Sequence, residues 1–372
     1  MASPLLARLE ARLAATADPR DAACLRAERT LLLAREGRLD AARHELAALH
    51  AHHGGRADAV VSAWLHLADG LVQHCGGSRP AARDKLRRAM ALGSAAGAPH
   101  VQALSAAWLA QLACLDEDFA SAARLLSRAL ATAGRDDHAA RSRACLVAAQ
   151  AWHWAGRLDL ALPWYRRARL HATDEGDQAT LAGLMHDMAW LRALQARRAS
   201  LAGASCVDEA RTVLAGTESV GHFGERIGMA ALLASVRQLR AHALAMLERY
   251  GEAAPLFAAH LETAAADEPG RPDGLRSAAL ADLAWCRVNT GDPAEASALA
   301  LAAQDDLHDG LCQHQRAFVH GRLAQVHARL GHTAAVTHAE RAAAAWHAHA
   351  GAQDRTGRLL NEALSPVAVD QA

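Results

Sequence analysis

The chain has 372 residues; 52% are apolar, only 4% are aromatic, and alanine makes up about a quarter. So much alanine with so few aromatic residues argues against a large β-sheet and for helices that pack closely on small side chains. Basic and acidic residues balance at 40 each, which removes the usual electrostatic reason to expect nucleic acid or an anionic membrane as a partner.

The N-terminal segment predicts no export. Residues Met1–Arg8 lack a basic stretch followed by a long apolar run, which a secretory signal would need. No window approaches the roughly 18 apolar residues of a membrane span. The seven cysteines contain no C-x-x-C pair and are typical of reduced thiols. We therefore expect a cytoplasmic protein.

A short sequence pattern recurs from residue 37 to residue 336. A turn residue is followed by a bulky residue two positions on and by a closing small residue three positions later. Clear copies are Gly37–Ala42, Gly156–Ala161, Glu248–Ala253 and Gly291–Ala296, and looser copies begin near Gly77, Glu117, Val207 and Gly331. Successive closing positions are 40, 40, 39, 49, 43, 43 and 40 residues apart. This regularity predicts eight copies of one structural unit.

The residues that flank each copy predict a pair of helices. A large apolar residue usually stands four positions after the closing one, as in Leu46, Leu86 and Phe257. A small residue usually stands seven positions before the turn, as in Thr30 and Ala284. These intervals put small residues where two helices cross and large ones between neighbouring pairs.

The pattern resembles the tetratricopeptide repeat, most closely at Asp116–Leu126 and Trp164–Ala168. The resemblance implies an all-α fold, a right-handed superhelical α-solenoid of about eight helix–turn–helix repeats. The family period is about 34 residues, so a period near 40 predicts longer helices. Arrays of such long repeats are similar to the sensor domains of large LuxR-type activators, such as the maltose-regulon activator. Peptide-sensing cytoplasmic regulators of Gram-positive bacteria are similar too.

The repeats divide the chain into five parts. The segment 200–226 is rich in glycine and serine, and we expect a hinge there or, alternatively, one long loop. A second loop is expected at Asp267–Gly274, and a last helix at Ala350–Leu364. The predicted parts are an N-terminal capping helix (1–19), repeats one to four with the start of five (20–199), the irregular segment (200–226), repeats six to eight (227–350), and a C-terminal capping helix with a tail (351–372).

Motifs that carry chemistry are missing from the sequence. His44-Glu45-Leu46-Ala47-Ala48 lacks the second histidine of a zinc-protease helix. The only lysine, Lys85, does not follow a glycine-rich phosphate loop. We therefore expect no catalytic residue, no cofactor and no metal. The 22 histidines, clustered at 50–53 and 347–349 and paired at His320 and His327, are interpreted as codon usage on solvated faces, with metal binding or pH sensing as the alternative.

The resemblance also implies a binding groove, since such repeats line their concave face with the first helix of each pair. Amides, imidazoles and indoles fall on or beside this face, and they suit a peptide backbone or a neutral polar ligand. The alternative is that they are partly buried polar residues without a ligand. The predicted groove residues are Trp108, Gln111, Gln150, His153, Trp154, Gln238, His242, Trp285, Asn289, Gln325 and Arg329.

These observations favour a non-catalytic protein–protein interaction module. We expect a cytoplasmic scaffold or regulatory adaptor that binds a peptide or protein segment in the groove, with no direct contact to nucleic acid or membrane. The alternative is a regulatory domain that senses a small-molecule ligand, like that of the maltose-type activators. An enzyme subunit is the third hypothesis. The partner and the oligomeric state are left open by the sequence.

Overall fold

The computed structural model describes residues 3–53, 58–227, 230–267, 274–308 and 310–369, and within these ranges it contains helices and turns but no strand. The helices are α1 (Pro4–Ala15), α2 (Pro19–Arg35), α3 (Leu39–His53), α4 (Ala59–Cys75), α5 (Arg79–Ala95), α6 (Pro99–Leu115), α7 (Phe119–Thr132), α8 (His138–Trp154), α9 (Leu158–Glu175), α10 (Gln178–Leu201), α11 (Val207–Ile227), α12 (Ala230–Met246), α13 (Tyr250–Asp267), α14 (Gly274–Asn289), α15 (Pro293–Asp305), α16 (Gln313–Arg329) and α17 (Ala334–Val369).

After α1, the helices pack as consecutive pairs. Strong contacts join α2 to α3, α4 to α5, α6 to α7, α8 to α9, α12 to α13 and α14 to α15. The first helix of a pair also contacts the first helix of the next pair, as in α2 with α4, α6 with α8 and α14 with α16. This is the all-α, repeat-based fold that the sequence predicts, and that prediction is confirmed.

In seven of the eight copies the turn residue has the same backbone conformation. A left-handed φ ends the first helix so that the second can fold back, and glycine adopts it without steric strain. Two copies adopt it with a glutamate instead of a glycine. The turn residues with positive φ are Gly37, Gly77, Glu117, Gly156, Glu248, Gly291 and Gly331.

The closing small residues form the tight contacts within the pairs. Seven of the eight are completely buried, which leaves room only for a methyl group between two helices. The eighth, Val336, is 65% exposed, so the last copy does not have this contact. The buried ones are Ala42, Ala82, Ala122, Ala161, Ala210, Ala253 and Ala296.

The described residues fall into two compact units. Unit 1 comprises those within Met1–Leu184, Arg226–Met229 and Gln353–Ala372, and unit 2 comprises those within Met185–Glu225 and Ala230–Ala352. The division falls inside α10, α11 and α17, so three helices contribute residues to both units.

Two predicted boundaries differ from the structure. The segment 200–226, expected to be irregular, is helical over most of its length, because α10 continues to Leu201 and α11 covers Val207–Ile227. No separate C-terminal helix begins near residue 350, since α17 runs without a break from Ala334 to Val369. The loop expected around 267–274 lies largely outside the described residues.

None of the described helices is both long and apolar enough to cross a bilayer. All seven cysteines are free thiols. Cys145, Cys206 and Cys286 are buried, whereas Cys75 is exposed.

Candidate partner-binding surfaces

In unit 1, α1 packs against the face formed by the first helices of the pairs, which we term the unit 1 face. A small cavity of about 30 Å³ remains between α1 and this face. Its lining includes side chains from α2, α6, α8, α10 and the last residue of α9. They are Leu5 and Leu9 of α1 with Glu28, Leu31, Leu32, Arg35, His100, Leu104, Trp108, Ala139, Arg143, Glu175, Asp177 and Thr180.

α1 is amphipathic, and its apolar side is buried. Leu5, Leu6 and Leu9 are 9%, 1% and 2% exposed and belong to the main apolar core of unit 1. Their spacing places them on one side of a helix. Ser3 caps the helix by accepting a hydrogen bond from the amide of Leu6 at 3.3 Å, and its hydroxyl donates to Glu36, which follows the last residue of α2. α1 therefore covers apolar surface that would otherwise face water.

Trp108 is the centre of the polar contacts on the unit 1 face. The guanidinium of Arg143 lies 3.8 Å from the centroid of its ring, and that of Arg35 lies 5.9 Å away. Arg35 also donates to Asp177 at 2.8 Å and to Thr180 at 2.7 Å. Burial acts to raise the pKa of Asp177, but Arg35 and the hydrogen bonds from Thr180 outweigh it, so the pKa is lowered and the carboxylate stays charged.

Unit 2 has a buried charge cluster on its first helices. Asp282 of α14 is 1% exposed and accepts from Arg197 of α10 at 2.6 Å and from Arg322 of α16 at 2.8 Å. His242 Nδ1 of α12 lies 3.3 Å from the same carboxylate. Burial favours the neutral acid, yet the two guanidinium groups lower the pKa of Asp282 overall. Burial and Arg197 lower the pKa of His242 to about 4, so this imidazole is neutral at pH 7.

The end of α10 packs across this cluster. Arg197 lies 4.8 Å from the ring centroid of Phe318, and Gln325 donates to the carbonyl oxygen of Ser200 at 3.4 Å. A side chain on Gly321 would meet Leu201 at 3.2 Å, so α10 and α16 approach closely here. α10, the first helix of the fifth pair, thus covers part of α14 and α16, the first helices of the seventh and eighth pairs.

The structure distributes the predicted groove residues over both units. In unit 1, Trp108 is buried, Gln111, Gln150 and His153 are half-buried, and the ring of Trp154 packs on Phe119 at 4.2 Å between centroids. Trp154 lies at the end of α8, where its carbonyl oxygen accepts a hydrogen bond from Gln353 of α17 at 2.8 Å.

In unit 2 the structure brings several predicted residues together around Asp282. His242 lies beside it, the ring of Trp285 lies 5.4 Å from the Arg322 guanidinium, and Gln325 accepts from Arg322 at 2.6 Å. Gln238 is buried on α12. Asn289 donates to the carbonyl oxygen of Trp285, whereas Arg329 is exposed at the end of α16.

Sequence reasoning missed the charged residues of both faces. The members of each ion pair are 40 to 142 positions apart in the sequence. The pairs are Arg35–Asp177, Arg197–Asp282 and Arg322–Asp282. One signal for Asp282 was present, namely a single carboxylate within the otherwise apolar run 278–286 of a first helix. A buried charge of that kind needs a charged partner.

No protein-family model and no curated protein sequence matches this chain. Among solved structures, a Rap protein complexed with competence and sporulation factor is similar, with a TM-score of 0.52, 11% identity, and coverage of 95% of this chain and 92% of that chain. The TPR domain of P58(IPK) matches at a TM-score of 0.33 with 17% identity, covering 84% of this chain and 80% of its own length. The assembly chaperone of RpL4, Acl4, matches at 0.26 with 18% identity, covering 82% and 95%. The chain has a tetratricopeptide-repeat-like fold.

Proposed function

We propose that the chain is a non-catalytic, cytoplasmic protein-interaction module, a scaffold or regulatory adaptor, which binds a helical segment of another protein on the unit 1 face. α1 supports this proposal because it already occupies the face as a short amphipathic helix. Its anchors Leu5, Leu6 and Leu9 have the spacing by which helices are recognised in grooves.

The contacts of α1 are few enough for a competitor to replace it. Three buried leucines, the partly buried Leu13, a cap bonded to Glu36 and an ion pair between Arg12 and Glu28 hold a helix of 12 residues whose other side is exposed. A partner helix with a similar apolar side would gain the same burial, about 1.5–3 kcal/mol for each leucine-sized side chain. The Rap protein of similar fold was solved with a bound factor, which is consistent with a binding role.

The test uses the full chain with α1 loosened. Leu9→Asp puts a charge at a position only 2% exposed, and Ala11→Asp puts the same charge on the exposed side of the same helix. A fluorescent peptide of residues 3–16 is then titrated with each variant, and its anisotropy is measured. We expect it to bind the Leu9→Asp chain and neither wild type nor Ala11→Asp, because in those two α1 still covers the face.

Capture from cell lysate with the same three chains identifies the partner. A protein enriched by Leu9→Asp and displaced by excess peptide 3–16 is the expected result. If the peptide does not bind the Leu9→Asp chain while its circular dichroism remains that of wild type, the unit 1 face is not a helix-binding surface.

A small-ligand sensor remains the second candidate because of one pocket in unit 2. It has a volume of about 500 Å³ and lies among α15, α16 and α17, with Arg316, Arg341 and His320 in its lining. Two guanidinium groups on one pocket of that size suit a small anion such as a carboxylate or phosphate metabolite. Thermal-shift screening of wild type against Arg341→Gln tests this: a stabilising anion whose effect is lost in the variant would support it, and no stabilisation by any anion would reject it.

A further inference from the structure

Three metal-ligating side chains meet at one end of the fourth helix pair, in unit 1. His138 is the first residue of α8, and His171 and Asp174 lie near the end of α9. Because α8 and α9 fold back on each other, the start of one lies beside the end of the other. His171 and Asp174 are three positions apart and so project from the same side of α9.

The spacing of their donor atoms fits a zinc ion. His138 Nδ1 lies 3.1 Å from His171 Nδ1 and 3.9 Å from a carboxylate oxygen of Asp174. One ligand atom from each residue lies within 4.8 Å of the other two. Zinc binds nitrogen and oxygen at about 2.0–2.2 Å in a tetrahedron, so two ligands of one ion are about 3.3–3.5 Å apart. The measured distances lie on either side of that value, and small side-chain rotations would bring all three atoms to it.

The chemistry of the three groups is also right for zinc. A neutral imidazole has a lone pair to donate, and His138 and His171 each bring one ring nitrogen to the group. Asp174, 45% exposed, supplies a negative charge and leaves one side open to water. Two imidazoles, one carboxylate and a water form a donor set that zinc prefers.

The two arginines whose charges act on His171 have guanidinium groups that are held by other partners. Arg141 donates to the carbonyl oxygens of Ala133 and Gly134, at 2.9 and 2.6 Å. Arg167 stacks on Trp164, 5.0 Å from the ring centroid.

Unit 2 provides an internal comparison. Its His320–His338 and His327–His332 pairs have Nδ1–Nδ1 distances of 3.0 and 3.2 Å, close to that of His138 and His171. Within the described residues, however, neither pair has a third His, Cys, Asp or Glu ligand atom at this range. A hydrogen bond between two neutral imidazoles accounts for those pairs, whereas Asp174 makes the unit 1 group a three-ligand set.

We propose that His138, His171 and Asp174 bind one zinc ion, which ties the start of α8 to the end of α9. The chain neighbours of two ligands, Ala139 and Glu175, line the cavity beneath α1. The ion would therefore hold the edge of the unit 1 face in place. This proposal is independent of whether a partner binds that face.

The test is a zinc titration of the full, tag-free chain against a chromophoric chelator, after chelator dialysis. His171→Ala removes one ligand, and Asp174→Asn replaces the carboxylate with a neutral amide at a partly exposed position. His320→Gln is the matched control, since it removes an imidazole from a pair of the same spacing. We expect wild type and His320→Gln to bind one zinc equally. The other two variants should bind it at least about tenfold more weakly, since even removal of an outer-shell partner has that effect.

X-ray absorption of the zinc-loaded chain provides a second measurement, because it reports the ligands directly. Nitrogen and oxygen neighbours at about 2.0–2.2 Å, two of them imidazoles, are expected, and this spectrum should change in Asp174→Asn. The proposal is overturned if His171→Ala and Asp174→Asn bind zinc as wild type does. It is equally overturned if His320→Gln weakens binding as much as they do, since the 22 histidines would then bind zinc diffusely.

Discussion

Four histidines of unit 2 lie together, and three of them, His320, His327 and His338, are almost fully buried. His338 Nε2 lies 3.2 Å from the side-chain oxygen of Gln304, so this nitrogen carries the proton and donates. Its Nδ1 is then an acceptor for His320 Nδ1–H at 3.0 Å. Adding a proton to His338 would place two N–H groups against each other. The pair is therefore built for neutral imidazoles.

This arrangement predicts that acid destabilises the folded chain. Burial, with Arg341 near both rings, lowers the pKa of His320 and of His338 to about 4. The charge of Arg316 also lowers the pKa of His320, and His320 and His327 also lower the pKa of His338. The unfolded chain takes up protons from about pH 6.5 downward. The free energy of unfolding should thus be constant above that pH and fall between pH 6.5 and 4, by up to about 1.4 kcal/mol per pH unit for each such histidine.

Urea unfolding at pH 7.5 and pH 5 measures this effect. His338→Gln should lose less stability between the two pH values than wild type does, because one of the protonated groups is gone. His347→Gln changes an exposed histidine of the same helix and should keep the wild-type difference. Equal losses in all three proteins would contradict the assignment of acid sensitivity to the buried cluster.

At the scale of the helix pair, two glycine substitutions test how much the positive φ of a turn residue contributes to stability. Gly37 has φ +82° and Gly134 does not have a positive φ, yet a Cβ at either would meet nothing within 4 Å. Gly37→Ala should therefore lower the free energy of unfolding by about 1 kcal/mol, since an L-residue is strained in the left-handed region. Gly134→Ala should be neutral or stabilising by up to about 1 kcal/mol, because it only restricts the unfolded chain. Thermal unfolding of the two variants compares these values, and an equal loss in both would mean that the positive φ is not the determinant.

Turns and closing alanines could be predicted because their causes are local. Left-handed glycine at Gly37 and a methyl-sized gap at Ala42 both leave a mark at fixed spacing in the sequence. Gly216 and Gly221 contributed to the wrong prediction of an irregular segment at 200–226, because glycine disfavours isolated helices. In the structure a Cβ at Gly216 would lie 3.5 Å from Ala189, and one at Gly221 would lie 3.7 Å from Val236. Both distances are ordinary van der Waals contacts, so α11 packs against α10 and α12 at these positions. Tertiary contacts of this kind outweigh the local preference.

The candidate surfaces could be predicted only in part, since their partners are distant in sequence. The spacing placed Trp108, His242 and Trp285 on first helices, and the structure has them there. It gave no indication that α1 would cover one face or that the end of α10 would cover part of another. Nor could it pair Arg197 with Asp282, 85 residues away. Such contacts depend on how the pairs stack, which no single repeat encodes.

At the scale of the whole molecule, long-range ion pairs within each unit supplement the neighbour-to-neighbour contacts of a repeat array. Simple arrays are stabilised by contacts between adjacent repeats alone. Here Arg35 of the first pair bonds to Asp177 and Thr180 at the start of the fifth, and Arg197 of the fifth pair bonds to Asp282 of the seventh. Each unit should therefore unfold cooperatively, and loss of one such ion pair should destabilise its whole unit.

Arg35→Gln tests this cooperativity in unit 1. The side chains of Arg35 and Asp177 are 12% and 6% exposed, so the substitution leaves a buried carboxylate without its cation, a change of about 3 kcal/mol or more. Hydrogen exchange read by mass spectrometry should accelerate about a hundredfold in α2, α4, α6 and α8 together, since 1.4 kcal/mol corresponds to a factor of about ten. Protection of α14 and α16, which belong to unit 2, should not change.

Arg157→Gln is the control for this experiment, because it removes an arginine of the same unit from an exposed pair with Asp159. Exposed pairs contribute little to stability, so its exchange pattern should match wild type. Acceleration confined to α2 and the start of α10 would mean that unit 1 opens repeat by repeat. Acceleration that reached α14 and α16 would mean that both units unfold as one. Cooperative unfolding of unit 1 predicts that protection is lost throughout unit 1 and is unchanged in unit 2. Only this result agrees with a first and a fifth repeat that Arg35 and Asp177 join into one cooperative unit.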